Sequence, residues 1–175
     1  MTARSSIRPW RTGDLESLVR HANNKAIWLN LRDRFPHPYT RTDAEEFLDR
    51  AASAEPQIFF AIDHEGQAVG GIGIDPAEDV ERVSGELGYW VGQQFWGQGL
   101  ATQAAREMTT YCFDTLNLHR VWAGVFARNQ ASIKVLEKLG FRREGLLKES
   151  IIKDGRLESQ IIYAITAPEW KRLTA

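Results

Sequence analysis

Leu100, Ala104, Met108, Tyr111, Cys112 and Leu116 recur at helical spacing and predict a helix from Gly99 to about Leu116. Two runs ahead of it, Gln57 to Asp63 and Gln67 to Ile74, read as paired strands joined by a turn at His64-Glu65-Gly66. An acidic connection, Asp75 to Asp79, then leads into a long strand from about Arg82 to Val91. Beyond the helix come a strand, Arg120 to Phe126, and a short helix, Gln130 to Leu139, with Gly140 placed to stop it. Phe141 to Lys153 and Arg156 to Thr166 form a hairpin about Asp154-Gly155, a pair suited to a tight turn.

The first third is less regular. Ile7 to Trp10 reads as a short strand, followed by a helix capped by Thr12 or Asp14 and running to about Asn23. A loop rich in aromatics and proline, Trp28 to Thr40, separates it from a second helix capped by Thr42 or Asp43 and ending near Ser53. The order β-α-α-β-β-β-α-β-α-β-β predicts a mixed α/β (α+β) fold on a mostly antiparallel central sheet flanked by helices. With no repeat, low-complexity run or linker, residues 1–175 are expected to form a single domain.

Composition narrows the class of function. Apolar residues make up 43% and charged residues 26%, which excludes a disordered or collagen-like chain. Lys and Arg number 22 against 23 Asp and Glu, so the basic excess of a nucleic-acid binder is absent. No run approaches the roughly 18 apolar residues of a membrane span, and Met1 to Trp10 carries arginines without the apolar core of a secretory signal. One cysteine excludes an internal disulfide and points to a reducing cytoplasm. Cys112 falls on an apolar helix stripe and reads as core, and His21, His37, His64 and His119 lack metal-ligand spacing, so no metal is expected.

The segment from Tyr89 to Thr102 is the most informative. It predicts a strand, a glycine loop and a helix N-terminus, where first-turn N–H groups and the helix dipole favour a phosphate. Two nucleotide signatures fail: Thr102 stands where the dinucleotide fingerprint needs its third glycine, and Gln98-Gly99 stand where a Walker loop needs Lys and Ser/Thr. A strand-to-helix turn that holds nothing is the plain alternative.

Gln94-x-x-Gly97-x-Gly99 followed by Leu100-Ala101-Thr102 resembles the Q/R-x-x-G-x-G/A motif with which the GNAT superfamily of N-acetyltransferases binds the pyrophosphate of acetyl-coenzyme A. Downstream, Asn129-Gln130-Ala131-Ser132 and Leu136-Glu137-Lys138-Leu139-Gly140-Phe141 are similar to that family's N-x-x-S…EKLGF signature. Phe35 to Thr40, Glu86 to Trp90 and Leu118-His119-Arg120 resemble the RimJ/RimL branch, which acetylates ribosomal-protein N-termini, polyamines or other small amines. The resemblance covers essentially the whole chain and implies acetyl-coenzyme A as co-substrate, an amine acceptor and a homodimer.

It also implies roles. The backbone of Tyr89, Trp90 and Val91 would pair with the pantetheine arm as an extra strand. Gln94 and the N–H groups of Gly97, Gln98, Gly99, Leu100, Ala101 and Thr102 would hold the pyrophosphate. Asn129 would contact the pantetheine through its amide; as a plain reading it is a helix N-cap, and both can hold. Glu86 is the candidate base for direct attack of a primary amine on the thioester through a tetrahedral intermediate; its plain reading is a solvated or ion-paired strand residue. Strand N–H groups near Trp90 and Val91 would receive the oxyanion.

Many family members protonate the departing thiolate with a tyrosine, where this chain has Leu136. Ser132 is the substitute donor, with first-turn capping as its plain reading. For the acceptor, the Trp28–Thr40 loop offers Arg32, Asp33, His37 and Tyr39, and the acids Asp75, Glu78, Asp79, Glu81 and Glu86 either attract a cationic amine or form a solvated loop. A second class of function stays open, a non-catalytic acyl-coenzyme A sensor that has kept the fold, for which the missing tyrosine argues.

Overall fold

The computed structural model describes residues 6–175; the reading of the N-terminal arginines as no secretory signal rests partly on Met1–Ser5, which lie outside them. Seven strands, β1 (Ser6–Pro9), β2 (Phe59–His64), β3 (Gln67–Pro76), β4 (Ser84–Val91), β5 (Arg120–Phe126), β6 (Arg142–Lys153) and β7 (Arg156–Thr166), follow the sheet order β1-β2-β3-β4-β5-β7-β6. The β1–β2, β2–β3, β5–β7 and β6–β7 ladders are antiparallel and β4–β5 is parallel. Among the described residues six α-helices accompany them: α1 (Leu15–Ala22), α2 (Lys25–Trp28), α3 (Arg41–Ser53), α4 (Leu100–Asp114), α5 (Gln130–Lys138) and α6 (Ala167–Thr174). The expected mixed fold on a mostly antiparallel sheet is the one observed. No helix among the described residues is long and apolar enough to cross a membrane.

The chain divides into two compact units. The first comprises the described residues of Met1–Gly73 with Tyr89–Glu107. Its core gathers Trp10, Leu18, Ala22, Tyr39, Leu48 and Ala61, with Phe35, Phe47, Phe59 and Trp90 packed against them. Small residues on α3, Ala44 and Ala51, are fully enclosed there, so α1 and α3 approach closely. A half-buried network ties the strands to the α1 entry: the Arg8 guanidinium donates to both oxygens of Asp14 at 2.8 and 2.9 Å and to Asp63 at 2.5 Å. Burial opposes the charge on Asp14, but the hydrogen bonds from Arg8 and the Arg11 N–H hold its carboxyl below the usual range.

Two capping expectations need correction. Thr40, rather than Thr42 or Asp43, caps α3: its hydroxyl accepts the Asp43 N–H at 3.3 Å while Asp43 accepts the Thr40 N–H at 2.7 Å. The sequence Thr-x-x-Asp forms a reciprocal box, which satisfies two orphan donors where a later cap would satisfy one. Asp14 precedes α1 but caps none of its N–H groups; its carboxylate closes the preceding 3-10 turn, Thr12–Asp14, by accepting the Arg11 N–H at 2.9 Å.

The second unit comprises Ile74–Gly88 and Met108–Ala175. Alternate residues of β5 (Val121, Ala123, Val125) and β7 (Ile161, Tyr163, Ile165) are buried on one face, the period-2 pattern of a half-covered sheet. Helix α5 ends as the sequence predicts. Gly140 takes φ +85°, its N–H reaches Glu137 O at 3.0 Å and the Phe141 N–H reaches Leu136 O at 3.0 Å, both bonds of a Schellman stop. The β6–β7 turn has Asp154 and Gly155 at φ +50° and +75°, as a two-residue turn of the predicted type requires. Helix α6, absent from the sequence reading, begins with a box in which Thr166 and Glu169 cap each other.

Candidate functional site

Strand β4 is fastened at its end before the glycine loop begins. Gly70 and Gly71 of β3 leave room for Trp90: a side chain at Gly70 would collide with the Trp90 carbonyl, and one at Gly71 would meet the indole Nε1 at 2.8 Å. The Gly92 N–H then donates to Val69 O at 2.7 Å. The Trp96 indole N–H reaches back to Val91 O at 2.7 Å, so a half-exposed tryptophan staples the loop to the strand it leaves.

Beneath the 3-10 turn Gln93–Phe95, the Phe95 ring lies edge-on between His21 and His64, each at 5.5 Å. A side chain at Gly92 would meet His21 Nδ1 at 3.1 Å. Burial, with Arg20 adding to it, lowers the pKa of His21 and so favours its uncharged form. Sequence reasoning missed the brace because its members are far apart along the chain.

Beyond Trp96 the backbone opens. Gly97 and Gly99 hold φ +76° and +80°, and a methyl group built at either meets nothing within 4 Å. Those dihedrals disfavour any other residue, and the open surroundings let a ligand approach the main chain. The N–H groups of a helix's first turn have no intrahelical acceptor, and in α4 the Gln103 N–H is bonded to Gly99 O at 3.1 Å. Gly99, at the N-cap of α4, has no side chain with which to cap it. Main-chain N–H groups at a helix N-terminus, reached through two open glycines, fit a pyrophosphate.

The second unit holds Glu86, Asn129, Ser132 and Leu136. Asn129 caps α5, its Oδ1 accepting the Ser132 N–H at 3.2 Å, so the capping reading of Asn129 holds. Leu136 is fully buried in the core, where it packs and offers no proton. Glu86 is half-buried on β4, opposite Trp122 in the parallel ladder that runs from Ser84↔Arg120 to Glu86↔Trp122. Its carboxylate lies 3.4 Å from where a Cβ of Gly124 would stand, and the Gln160 side-chain amide crowds the same point. Sequence reading did not find Gln160, because its neighbours are set by the register of β5 with β7. Of the other acids, Asp75 stands at the end of β3 rather than in the connection, while Glu78, Asp79 and Glu81 lie between β3 and β4, and all four are exposed.

In the acceptor loop, Arg32, Asp33 and His37 are exposed, with the His37 ring tilted over Trp28 at 5.6 Å. Tyr39 is instead taken into the core beside Phe35 at 4.9 Å, and burial pushes its hydroxyl up to about 12. Cys112 is fully buried on α4, and burial pushes its thiol up to about 12, so it is no nucleophile. Among the described residues, no group of three His, Cys, Asp or Glu is arranged to hold a metal ion.

Residues 4–142 match the family model described as "Acetyltransferase (GNAT) domain". The chain is similar to the putative ribosomal N-acetyltransferase YdaF of Bacillus subtilis (strain 168), 32% identical over 108 residues, 62% of this chain and 58% of that protein. It is also similar to spermidine N(1)-acetyltransferase of Escherichia coli (strain K12), 26% identical over 160 residues, 91% of this chain and 84% of that protein. The solved structure of Mycobacterium smegmatis RimJ in complex with CoA-disulfide superposes with a TM-score of 0.81 at 30% identity. That superposition covers 96% of this chain and 84% of RimJ. The chain spans about half the length of the first curated relatives, 58%, 52% and 46% of three of them.

Proposed function

Because the chain belongs to the GNAT acetyltransferase family, we propose that it transfers the acetyl group of acetyl-coenzyme A to a primary amine, either a protein N-terminus or a small amine such as a polyamine. The observation that carries the donor half is the pair Gly97 and Gly99 leading into α4, both at positive φ with open space before them. Acetyl-coenzyme A supplies a thioester carbonyl open to amine attack, and every other requirement falls on the protein.

The N–H groups from Gly97 to Thr102, with Gln94, hold the pyrophosphate, and the β4 backbone from Tyr89 to Val91 pairs with the pantetheine amides. Asn129 serves twice: Oδ1 caps α5, and Nδ2 donates to the pantetheine. Glu86 takes the proton of the attacking amine, directly or through a water. An α-amine has a reference pKa of about 7.7–8.0, so the base need only complete a loss already begun at neutral pH. N–H groups near Trp90 and Val91 stabilise negative charge as it develops on the thioester oxygen. Ser132 donates a hydrogen bond to the departing sulfur, and solvent supplies the proton. Arg32, Asp33 and His37 border the acceptor; Tyr39 acts there only by supporting the loop from within the core.

One observation favours a second reading. The position of the family's tyrosine acid is Leu136, fully buried, so a chain that binds acyl-coenzyme A without turnover is the competing function. Thiol release from acetyl-coenzyme A, with ribosomal-protein N-terminal peptides, spermidine, aminoglycosides and amino acids as acceptors, separates the two. Acceptor-dependent release establishes the enzyme and its substrate class. Tight cofactor binding by calorimetry, with no release across the acceptors, establishes the sensor.

A further inference from the structure

The end of α1 and the two residues after it reach three separate parts of the first unit. His21 lies against the Phe95 ring at 5.5 Å. Asn23 Oδ1 accepts the Tyr39 N–H at 3.0 Å, which closes the base of the loop that follows α2. Asn24 Oδ1 accepts the Ala26 and Ile27 N–H groups at 2.8 and 3.3 Å, which caps α2. The same side chain also reaches out of the loop: Asn24 Nδ2 donates to Gln93 Oε1 at 2.8 Å.

Chemistry fixes the orientation of both amides. An Asn side chain has one acceptor oxygen and one donor nitrogen. Two backbone N–H groups claim the oxygen, so the nitrogen is left for Gln93, which must answer with its own oxygen. Gln93 opens the 3-10 turn Gln93–Phe95, directly before the glycines, and Phe95 closes it between His21 and His64. The turn is therefore held at one end by Asn24 and at the other by the histidines. Helix α2 is four residues long, too short to persist without its cap. The order of α2 and of the loop behind it thus depends on where Asn24 is held.

We infer that Gln93 is a positioning residue through which coenzyme A steadies the acceptor loop. Coenzyme A bound at Gln94 and the glycines immobilises the Gln93–Phe95 turn. Gln93 Oε1 then stays where Asn24 Nδ2 meets it, and α2 with its loop opens less often. Linkage makes the effect reciprocal, so an acceptor that orders the loop tightens coenzyme A by the same factor. This inference rests on the proposed acetyl-coenzyme A reading and adds a coupling between the two halves of that site.

The test follows backbone amide exchange of residues 25–39 with and without saturating coenzyme A, with calorimetry reporting occupancy. In the wild type, coenzyme A should slow exchange across this segment about threefold or more, the scale of one exposed hydrogen bond. Gln93→Met keeps the length and removes the acceptor, so it should bind coenzyme A and show no slowing. Gln93→Glu, which retains an acceptor oxygen, should slow as the wild type does. Asn24→Ser keeps a capping oxygen but is too short to reach Gln93. It should match Gln93→Met, and it replaces that variant if Gln93→Met fails to fold.

Wild-type slowing in both Gln93→Met and Asn24→Ser would overturn the inference, because a merely structural bond changes exchange without changing its response to coenzyme A. So would an occupied wild type whose loop exchanges as before, or a Gln93→Glu variant with no response. A wild type that binds no coenzyme A would sink the acetyl-coenzyme A reading, and the coupling with it.

Discussion

The β4-to-α4 connection and the β5-to-α5 connection both lead a strand into a helix, and they treat their main-chain donors in opposite ways. The second closes on itself. The Ala127 N–H goes to Ser159 O at 2.9 Å, Asn129 N–H to Phe126 O at 2.8 Å, and the Asn129 side chain caps the Ser132 N–H. The first is tied down at Trp96, whose N–H reaches Gln93 O at 3.1 Å, and it then passes through two left-handed glycines into a helix whose N-cap position is itself glycine. An asparagine cap stabilises its helix by about 1 kcal/mol and uses up the donors an anion would need. A glycine N-cap forgoes side-chain capping and keeps the donors. A chain that must both hold pyrophosphate and fold stably can use one solution at each junction.

The largest expected effect tests whether either junction does chemistry by itself. Glu86→Gln should lower turnover about 100-fold or more at neutral pH, with the deficit shrinking as pH rises and the amine deprotonates unaided. Coenzyme A affinity, read by calorimetry, should stay at the wild-type level. An unchanged pH–rate profile would return Glu86 to a structural role.

Next in size, Gly99→Val forces a β-branched residue into the left-handed region, which costs about 1–3 kcal/mol and takes the open loop with it. Coenzyme A should bind about tenfold or more weakly; wild-type affinity would mean that this junction holds no phosphate. Asn129→Ala should invert the pattern. It should remove about 1 kcal/mol of stability, seen as a few degrees in a thermal melt, and weaken coenzyme A less than the glycine change does. A larger affinity loss from Asn129→Ala than from Gly99→Val would reverse the contrast between the junctions.

The smallest effect comes from the capping boxes that resemble the second junction's strategy. Backbone and side-chain hydrogen bonds from Thr166 hold the Glu169 carboxyl below its ordinary value. A depressed folded pKa means the stabilisation is present above the unfolded value of about 4.3 and is lost as pH falls through the folded value. Because Glu169 is solvent-accessible, screening keeps the effect below about 1 kcal/mol. Glu169→Gln should therefore melt slightly below wild type at pH 7 and converge with it in acid; a difference that grows in acid would contradict this.

Local chemistry was legible in the sequence. The β5 bounds, the Gly140 stop and the Asp154-Gly155 turn each depend on a few adjacent residues, and each stands where the sequence places it. The cap of α3 was misread by two or three residues because three polar candidates, Thr40, Thr42 and Asp43, lie together, and only the reciprocal box chooses among them. Helix α6 carried the same signal, Thr166-x-x-Glu169 with Pro168 in the first turn, directly after a strand whose β-rich pattern masked it. The glycine loop was legible because a backbone requirement leaves glycines in the sequence. Gln160 was not. Its partners come from β4 and β5, and no local pattern encodes a register across strands that are not consecutive.

The interior position of Cys112 has a practical side. The chain's one thiol is enclosed and stays protonated up to about 12, so disulfide reagents that report free coenzyme A should meet almost no background from the native protein. A cysteine introduced on the surface, at the exposed His37 for instance, would then be the sole site open to a fluorophore. The same molecule could report product by its released thiol and acceptor-loop environment by its label, each against a silent field.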